Sequence, residues 1–207
     1  MTDAVTDSST SPNRQETDPP PHEVSIVIPC LNEADTLAVC IDKARQALRD
    51  AGIDGEVVIG DNGSTDGSPA IAAAHGARVV HVAARGYGSA LMGGIAAARG
   101  RYVIMGDADD SYDFLEVPKF VEQLRQGYGL VQGCRLPSGG GTVAPGAMPW
   151  SHRWIGNPAL SRLARIFFRT GLNDIYCGMR GCALLIALAA QTFFGSFVIS
   201  LASLERK

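Results

Sequence analysis

Residues 24–48, VSIVIPCLNEADTLAVCIDKARQAL, contain the two patterns that decide the fold of this chain. The first six residues form an apolar run, which is typical of a strand covered on both faces. After a polar turn, apolar residues recur at helical spacing from residue 34 to residue 50, at Leu37, Ile41, Ala44 and Leu48. The segment therefore predicts a buried strand that leads into an amphipathic helix.

The same alternation of strand and helix patterns continues to residue 135. Further strands are predicted at 56–61, 77–82, 101–107 and 129–135, and further helices at 68–75, 88–100 and 116–126. Ser68 is the expected N-cap of the helix that begins there. Strands separated by helices predict βαβ units, so we expect an α/β fold with a mostly parallel central sheet.

Composition limits the remaining possibilities. The chain has 207 residues, is 46% hydrophobic and carries a net charge of −3, which argues against a nucleic-acid-binding protein. Residues 1–22 are rich in Ser, Thr, Asp and Pro, and we expect them to be a disordered leader. The five cysteines are scattered, without CxxC spacing, and fit reduced thiols in the cytoplasm better than disulfides or a zinc site.

Polar segments follow three of the predicted strands, where ligands bind in parallel α/β sheets. They are PCLNE (29–33), GDNGSTDGS (60–68) and GDADDS (106–111). The first turn has no G-x-G-x-x-G fingerprint, and the chain has no P-loop. If the site holds a nucleotide, the remaining way to neutralise its diphosphate is a metal ion held by carboxylates.

The acidic stretch MGDADDSYDF (105–114) has two interpretations. One is an ordinary polar turn whose aspartates cap the next helix. The other is a divalent cation site, in which Asp107 and Asp109 project to the same side, Asp107 toward the nucleotide and Asp109 toward Mg²⁺ or Mn²⁺. We favour the cation site because the three polar strand ends occur together.

Five motifs together resemble glycosyltransferase family 2 with the GT-A (Rossmann-like) fold, particularly the polyprenyl- and dolichyl-phosphate mannose or glucose synthases. They are VSIVIPCLNEADTL, VVIGDNGSTDGS, the D-A-D of GDADDS, GCR and YCGMR, within residues 23–181. The resemblance implies a UDP- or GDP-linked sugar donor, a Mg²⁺ or Mn²⁺ cofactor and inversion at the anomeric carbon. It also implies a polyprenyl phosphate acceptor and an active site at the cytoplasmic face of the membrane.

The resemblance also assigns site residues. Those implied for the nucleotide-sugar are Pro29, Leu31, Glu33, Asp61, Gly86, Gly88, Asp107, Ala108, Asp109 and Ser111. Asp107 and Asp109 are the implied metal ligands and, with Arg135 near the diphosphate, the implied catalytic residues. Simpler roles stay open: a charge at a helix start for Glu33, an Asx-turn for Asp61 and a surface position for Arg135.

The acceptor side is implied at Arg153, Asp174 and Arg180, with Arg180 on the acceptor phosphate. We assign no general base, because a phosphate acceptor is already anionic. Arg162, Arg165 and Arg169 lie along one face of a predicted helix, which fits either an anionic membrane surface or a solvated face.

The last part of the chain departs from the resemblance. Residues 181–204 contain no charged side chain and are long enough to span a bilayer. We expect the catalytic domain to cover 23–181 and an apolar tail to cover 182–207. The tail is either a membrane segment or an aberrant end that leaves the acceptor site incomplete and the chain a nucleotide-sugar-binding remnant. A glycan acceptor is a further alternative.

Overall fold

The computed structural model describes residues 20–134, 162, 174 and 177–189, so most of the expected leader lies outside it. The strands are β1 (His22–Cys30), β2 (Gly55–Asp61), β3 (Arg78–His81), β4 (Gly100–Met105), β5 (Leu130–Gln132) and β6 (Arg180–Ala183). The helices are α1 (Leu37–Asp50), α2 (Ser68–Ala74), α3 (Tyr87–Ala97), α4 (Val117–Arg125) and α5 (184–189). A 3₁₀ helix, Phe114–Glu116, precedes α4.

The strands form one sheet in the order β3-β2-β1-β4-β6-β5. β1 pairs in parallel with β2 and β4, and β2 pairs in parallel with β3. β6 runs antiparallel to both of its neighbours, β4 and β5. The predicted α/β fold with a mostly parallel sheet is confirmed.

The register of β1 brings the three polar segments together. Cys30 at the end of β1 lies opposite Asp61 at the end of β2. On the other side Val27 lies opposite Met105, the last residue of β4. Because β1 is the central member of this trio, the loops that follow the three strands leave the sheet side by side.

Helices cover both faces of the sheet. On one face α1 buries the predicted apolar stripe against Ile26 and Ile28, and α4 packs beside it. On the other face α3 and α5 pack on Val27, Val58 and Val103. Burial of each such side chain contributes about 1.5–3 kcal/mol, so this layered core fixes the loops at its edge.

β6 is a strand that the sequence did not predict, because RGCA lacks the β-branched and aromatic residues typical of strands. Its Gly181 faces the core so closely that an added methyl group would lie 3.2–3.4 Å from Leu124, Ile104 and Phe120. The domain boundary expected at residue 181 falls inside this strand. Residues 182–189 therefore belong to the folded domain.

The start of α2 also differs from the prediction. Gly67, with a φ of 94°, occupies the N-cap position, and Ser68 is the first helical residue. The Ser68 hydroxyl donates to Asp66 at 2.6 Å and accepts the Glu33 N–H at 3.0 Å. Ser68 thus ties the loop after β2 to the loop after β1 instead of capping the helix.

Among the helices of the described ranges, none combines the length and apolar character needed to cross a bilayer. The rest of the apolar tail, residues 190–207, lies outside those ranges, and so do Arg165 and Arg169 of the basic segment. Arg162 is described and is exposed.

Candidate functional site

A cavity of about 380 Å³ opens where the loops after β1, β2 and β4 meet the start of α3. Its lining residues are Pro29, Cys30, Leu31, Glu33, Asn62, Tyr87, Ala90, Asp107, Ala108 and Asp109. Six of these were assigned to the nucleotide-sugar from sequence: Pro29, Leu31, Glu33, Asp107, Ala108 and Asp109. Asn62 belongs to the second polar segment, so the structure brings residues of all three polar segments into one site.

The D-A-D segment is anchored through its alanine. Ala108 is 4% exposed, and its carbonyl accepts hydrogen bonds from Thr36 Oγ1 at 2.7 Å and Cys40 Sγ at 3.4 Å. Burial raises the pKa of the Cys40 thiol to about 11, so the thiol remains protonated and can donate. With Ala108 held against α1, Asp107 and Asp109 both lie on the cavity side.

The four acids of the stretch 105–114 divide into two pairs. Asp110, at a φ of 58°, binds Lys43 at 2.8 Å, and Asp113 accepts the Leu115 N–H at 3.1 Å and caps the 3₁₀ helix. These two match the polar-turn interpretation. Asp107 and Asp109 instead face the cavity, so the polar-turn interpretation accounts for one pair and the cation site stays a prediction for the other.

Asp107 and Asp109 each make a local hydrogen bond. Asp107 Oδ1 accepts from the Tyr87 hydroxyl at 2.7 Å, and Asp109 Oδ1 accepts the Ser111 N–H at 3.0 Å. Desolvation and, second, the hydrogen bond to Asp107 raise the pKa of Tyr87 above its usual range, so this hydroxyl is a donor. Ser111 is exposed and supports Asp109 through its backbone.

The described residues contain no group of three or more His, Cys, Asp or Glu side chains arranged to hold a metal ion. Mg²⁺ and Mn²⁺ sites commonly use one or two carboxylates, with phosphate and water oxygens completing the shell. Two carboxylates on one open cavity are a donor set of that kind. Asp107 and Asp109 therefore fit a hard divalent cation bound together with a phosphate-bearing ligand.

Hydrogen bonds join the loop after β1 to the loop after β2. Asn32, at a φ of 59°, accepts the Thr65 N–H at 2.8 Å, while its own N–H donates to Ser64 Oγ at 3.0 Å. Asp66 accepts the Ala34 N–H at 2.9 Å. These bonds hold Leu31 at the cavity wall, where it is 52% exposed and available to a ligand.

Asp61 lies behind the cavity wall and is 3% exposed. It accepts the N–H groups of Gly63 at 3.2 Å and Ser64 at 3.1 Å, and its Oδ2 lies 3.2 Å from His81 Nδ1. Burial alone would raise the pKa of Asp61, but the hydrogen bonds from Ser64, His81 and Gly63 lower it below its usual value. This is the Asx-turn geometry, and a nucleoside contact by Asp61 stays a prediction.

Asn62 and Tyr87 line the cavity and were not assigned from sequence. Asn62 donates to the carbonyls of Val82 at 3.1 Å and Ala84 at 2.7 Å, and accepts the Gly86 N–H at 2.6 Å. In the sequence, the only signal for each was an assigned neighbour: Asp61 for Asn62, and Gly86 and Gly88 for Tyr87. Gly86 has a φ of 114°, which requires glycine, whereas a methyl group at Gly88 would meet nothing within 4 Å.

The acceptor-side motif reaches the same region. Arg180, in β6, lies opposite Met105 at the end of β4, and its Nε donates to the Cys177 carbonyl at 3.1 Å. The Gly178 N–H donates to the Tyr112 hydroxyl at 2.9 Å. Asp174 is buried, and its carbonyl accepts from Gln132 at 2.6 Å. Arg135 and Arg153 lie outside the described residues.

Comparison with known proteins agrees with this geometry. The chain matches the model of glycosyl transferase family 2 over residues 25–185. It is 42% identical over 158 residues to the low-salt glycan biosynthesis hexosyltransferase of Haloferax volcanii, across 76% of this chain and 37% of the relative. It is 38% identical over 125 residues to the dolichyl-phosphate hexose transferase of that organism, across 60% and 52%.

Solved structures include similar proteins. Glucosyl-3-phosphoglycerate synthase from Mycobacterium tuberculosis, in complex with Mn²⁺, UDP and glucosyl-3-phosphoglycerate, has a TM-score of 0.59 at 27% identity. The match covers 79% of this chain and 57% of that one. The chain thus spans less than two thirds of the length of each of these proteins. Its sequence and its sheet place it in glycosyltransferase family 2, with the GT-A fold.

Proposed function

We propose that this domain transfers a sugar from a nucleoside-diphosphate sugar to a polyprenyl phosphate, with Mg²⁺ or Mn²⁺ as cofactor. The observation that carries the proposal is the pair Asp107 and Asp109 on one cavity, anchored at Ala108 and flanked by the loop after β1. A relative named as a dolichyl-phosphate hexose transferase supports the acceptor class. A solved relative with bound Mn²⁺ and UDP supports the donor and the cofactor.

In this proposal the cavity binds the donor from two directions. Pro29, Leu31 and Glu33 contact the nucleoside, since they form the wall on the β1 side. Asp107 and Asp109 hold the cation. When bound, the cation supplies positive charge that stabilises the diphosphate as it leaves.

The transfer itself is an in-line displacement with inversion. A phosphate oxygen of the acceptor donates an electron pair to C1 of the sugar and forms the new C1–O bond. The bond between C1 and the diphosphate oxygen breaks, and its electron pair leaves with the nucleoside diphosphate. Because the attacking oxygen is already anionic, no side chain has to remove a proton.

The acceptor approaches from the side of β6. We propose that Arg180, which lies beside the end of β4, binds its phosphate. We also propose Asp174, Arg135 and Arg153 as acceptor-side and diphosphate-side residues, on the family resemblance. A polyprenyl chain stays in the bilayer, so we propose that the domain works at the cytoplasmic face of the membrane.

Calorimetry and a release assay test this function. We expect UDP-glucose or GDP-mannose to bind the full chain with Mn²⁺ and to bind much more weakly in EDTA. Addition of polyprenyl phosphate should then release nucleoside diphosphate, and 3-phosphoglyceric acid should not. Metal-dependent binding without release would restrict the function to donor binding. Absence of any metal-dependent binding would overturn the proposal.

A further inference from the structure

Tyr87 joins the start of α3 to the D-A-D segment. It is the first residue of α3, and its hydroxyl donates to Asp107 Oδ1 at 2.7 Å. The side chain lines the same cavity as Asp107. The residue is 59% exposed, so its ring contributes little to the hydrophobic core. Its placement is explained better by the bond to Asp107 than by packing.

Asn62 holds the loop that precedes Tyr87 by hydrogen bonds. The Asn62 amide donates to the carbonyls of Val82 and Ala84, and its oxygen accepts the Gly86 N–H. All three bonds, at 2.6–3.1 Å, end within five residues of Tyr87. The loop is therefore held in one conformation by the protein itself.

Gly178 lies close to the other carboxylate oxygen of Asp107. The Gly178 N–H donates to the Tyr112 hydroxyl, and a methyl group added to Gly178 would lie 3.0 Å from Asp107 Oδ2. The next residue, Ala108, is tied to Thr36 through its carbonyl. The absence of a side chain at Gly178 leaves room for the carboxylate, and the Tyr87 bond selects its orientation.

We propose that Tyr87 is a positioning residue, which orients the Asp107 carboxylate so that its remaining lone pairs face the cation that binds the diphosphate. The inference rests on the proposed function. A carboxylate offers about four lone-pair sites, so one hydrogen bond to Oδ1 leaves most of its capacity for a ligand. Loss of a hydrogen bond to a metal-binding carboxylate typically lowers metal affinity about 10- to 100-fold.

The test measures UDP affinity of the full chain by calorimetry, with MnCl₂ and with EDTA. We expect Tyr87→Phe to weaken binding with MnCl₂ about 10-fold or more and to leave binding in EDTA within about twofold. Its urea midpoint should match that of the wild type. Tyr128→Phe is the matched control, because Tyr128 is 58% exposed and outside the cavity lining, and it should change neither affinity.

A double-mutant cycle with Asp107→Asn isolates the contact. In the Asp107→Asn background, Tyr87→Phe should cause no further loss of affinity. Fully additive losses, or an equal loss in EDTA, would overturn the inference and leave the proposed function standing. So would unchanged affinity of Tyr87→Phe when the wild type binds. A wild type that shows no Mn²⁺-dependent UDP binding would overturn the proposed function and this inference together.

Discussion

At the amino end of the sheet the carboxylate of Glu56 is fully engaged, whereas at the carboxyl end Asp107 and Asp109 retain most of their capacity. Glu56 Oε1 accepts from Ser25 Oγ and the Arg99 N–H, both at 2.8 Å. Its Oε2 accepts from Arg78 Nε at 3.0 Å and Nη2 at 2.7 Å. Within the described residues, the carboxylates of Asp107 and Asp109 each accept one hydrogen bond.

The difference separates acids that stabilise the fold from acids that are available to a ligand. Burial would raise the pKa of Glu56, but Arg78, Ser25 and the Arg99 N–H lower it below its usual value. Its interactions are thus completed within the protein. Asp107 and Asp109 face a cavity instead. We therefore expect substitution of these two acids to lower donor affinity, and substitution of Glu56 to lower the free energy of unfolding.

The largest effect is expected at the carboxyl end. Asp107→Asn and Asp109→Asn should each weaken Mn²⁺-dependent donor binding roughly 100-fold, because a neutral amide is a poor ligand for a hard cation. Calorimetry measures the affinity, and urea unfolding should show little change in stability. Asp110→Asn and Asp113→Asn are the controls, since these acids bond within the protein. Unchanged donor affinity in both the Asp107→Asn and the Asp109→Asn variant would contradict the view that these acids are available to a ligand.

The converse substitution is Glu56→Gln. It leaves Arg78 beside a neutral partner, so we expect the free energy of unfolding to fall by about 2 kcal/mol. Donor affinity of the folded variant should stay within about twofold of the wild type, as expected for a site at the other end of the sheet. Urea unfolding and calorimetry on one preparation check both expectations. A stable variant with impaired donor binding would contradict this assignment.

A smaller effect is expected from pH. The pKa of Glu56 is lower in the folded chain than the usual value of about 4.3, so its contribution to stability is present above that value. It is lost as the pH falls through the lowered folded-state pKa. Between pH 5 and pH 3, Glu56→Gln should therefore lose about 1 kcal/mol less stability than the wild type. Parallel curves for the two proteins would count against the role given to Glu56.

The last effect concerns the backbone at the carboxyl end of the sheet. Gly86→Ala forces alanine to a φ of 114° and should lower the free energy of unfolding by about 1–3 kcal/mol at most, mainly by loosening the loop. Gly88→Ala is the matched control, because it lies in α3 and its methyl group meets nothing within 4 Å. It should be neutral or stabilising by up to about 1 kcal/mol. Equal destabilisation of both would refute the conformational argument.

Much of this molecule could be predicted from local pattern. The apolar run of β1 and the spacing of Leu37 and Ile41 report burial directly, because period and burial are linked along one element. The D-A-D placement follows similarly, since a buried Ala108 turns its two neighbours outward. Each of these predictions depended on residues close together in the chain.

The features that escaped prediction depend on distant segments. Asn62 reaches the loop before Tyr87 across more than twenty residues, and Tyr87 reaches Asp107 across another twenty. β6 was not predicted for a related reason. RGCA has no local strand pattern, and it forms a strand by pairing with β4 and β5. No local periodicity encodes such contacts.

The position of β6 has a consequence for how the chain folds. β5 is synthesised before β6, yet β6 is the strand with which β5 pairs. Residues 22–105 can form their parallel sheet early, whereas β5 has to wait until β6, which comes later in the chain, has been made. Pairing two strands that are far apart in the sequence costs chain entropy before their contacts can form. Pulse-labelled hydrogen exchange should therefore protect the amides of β1 before those of β5, so the side of the site proposed for the nucleotide should form ahead of the side proposed for the acceptor.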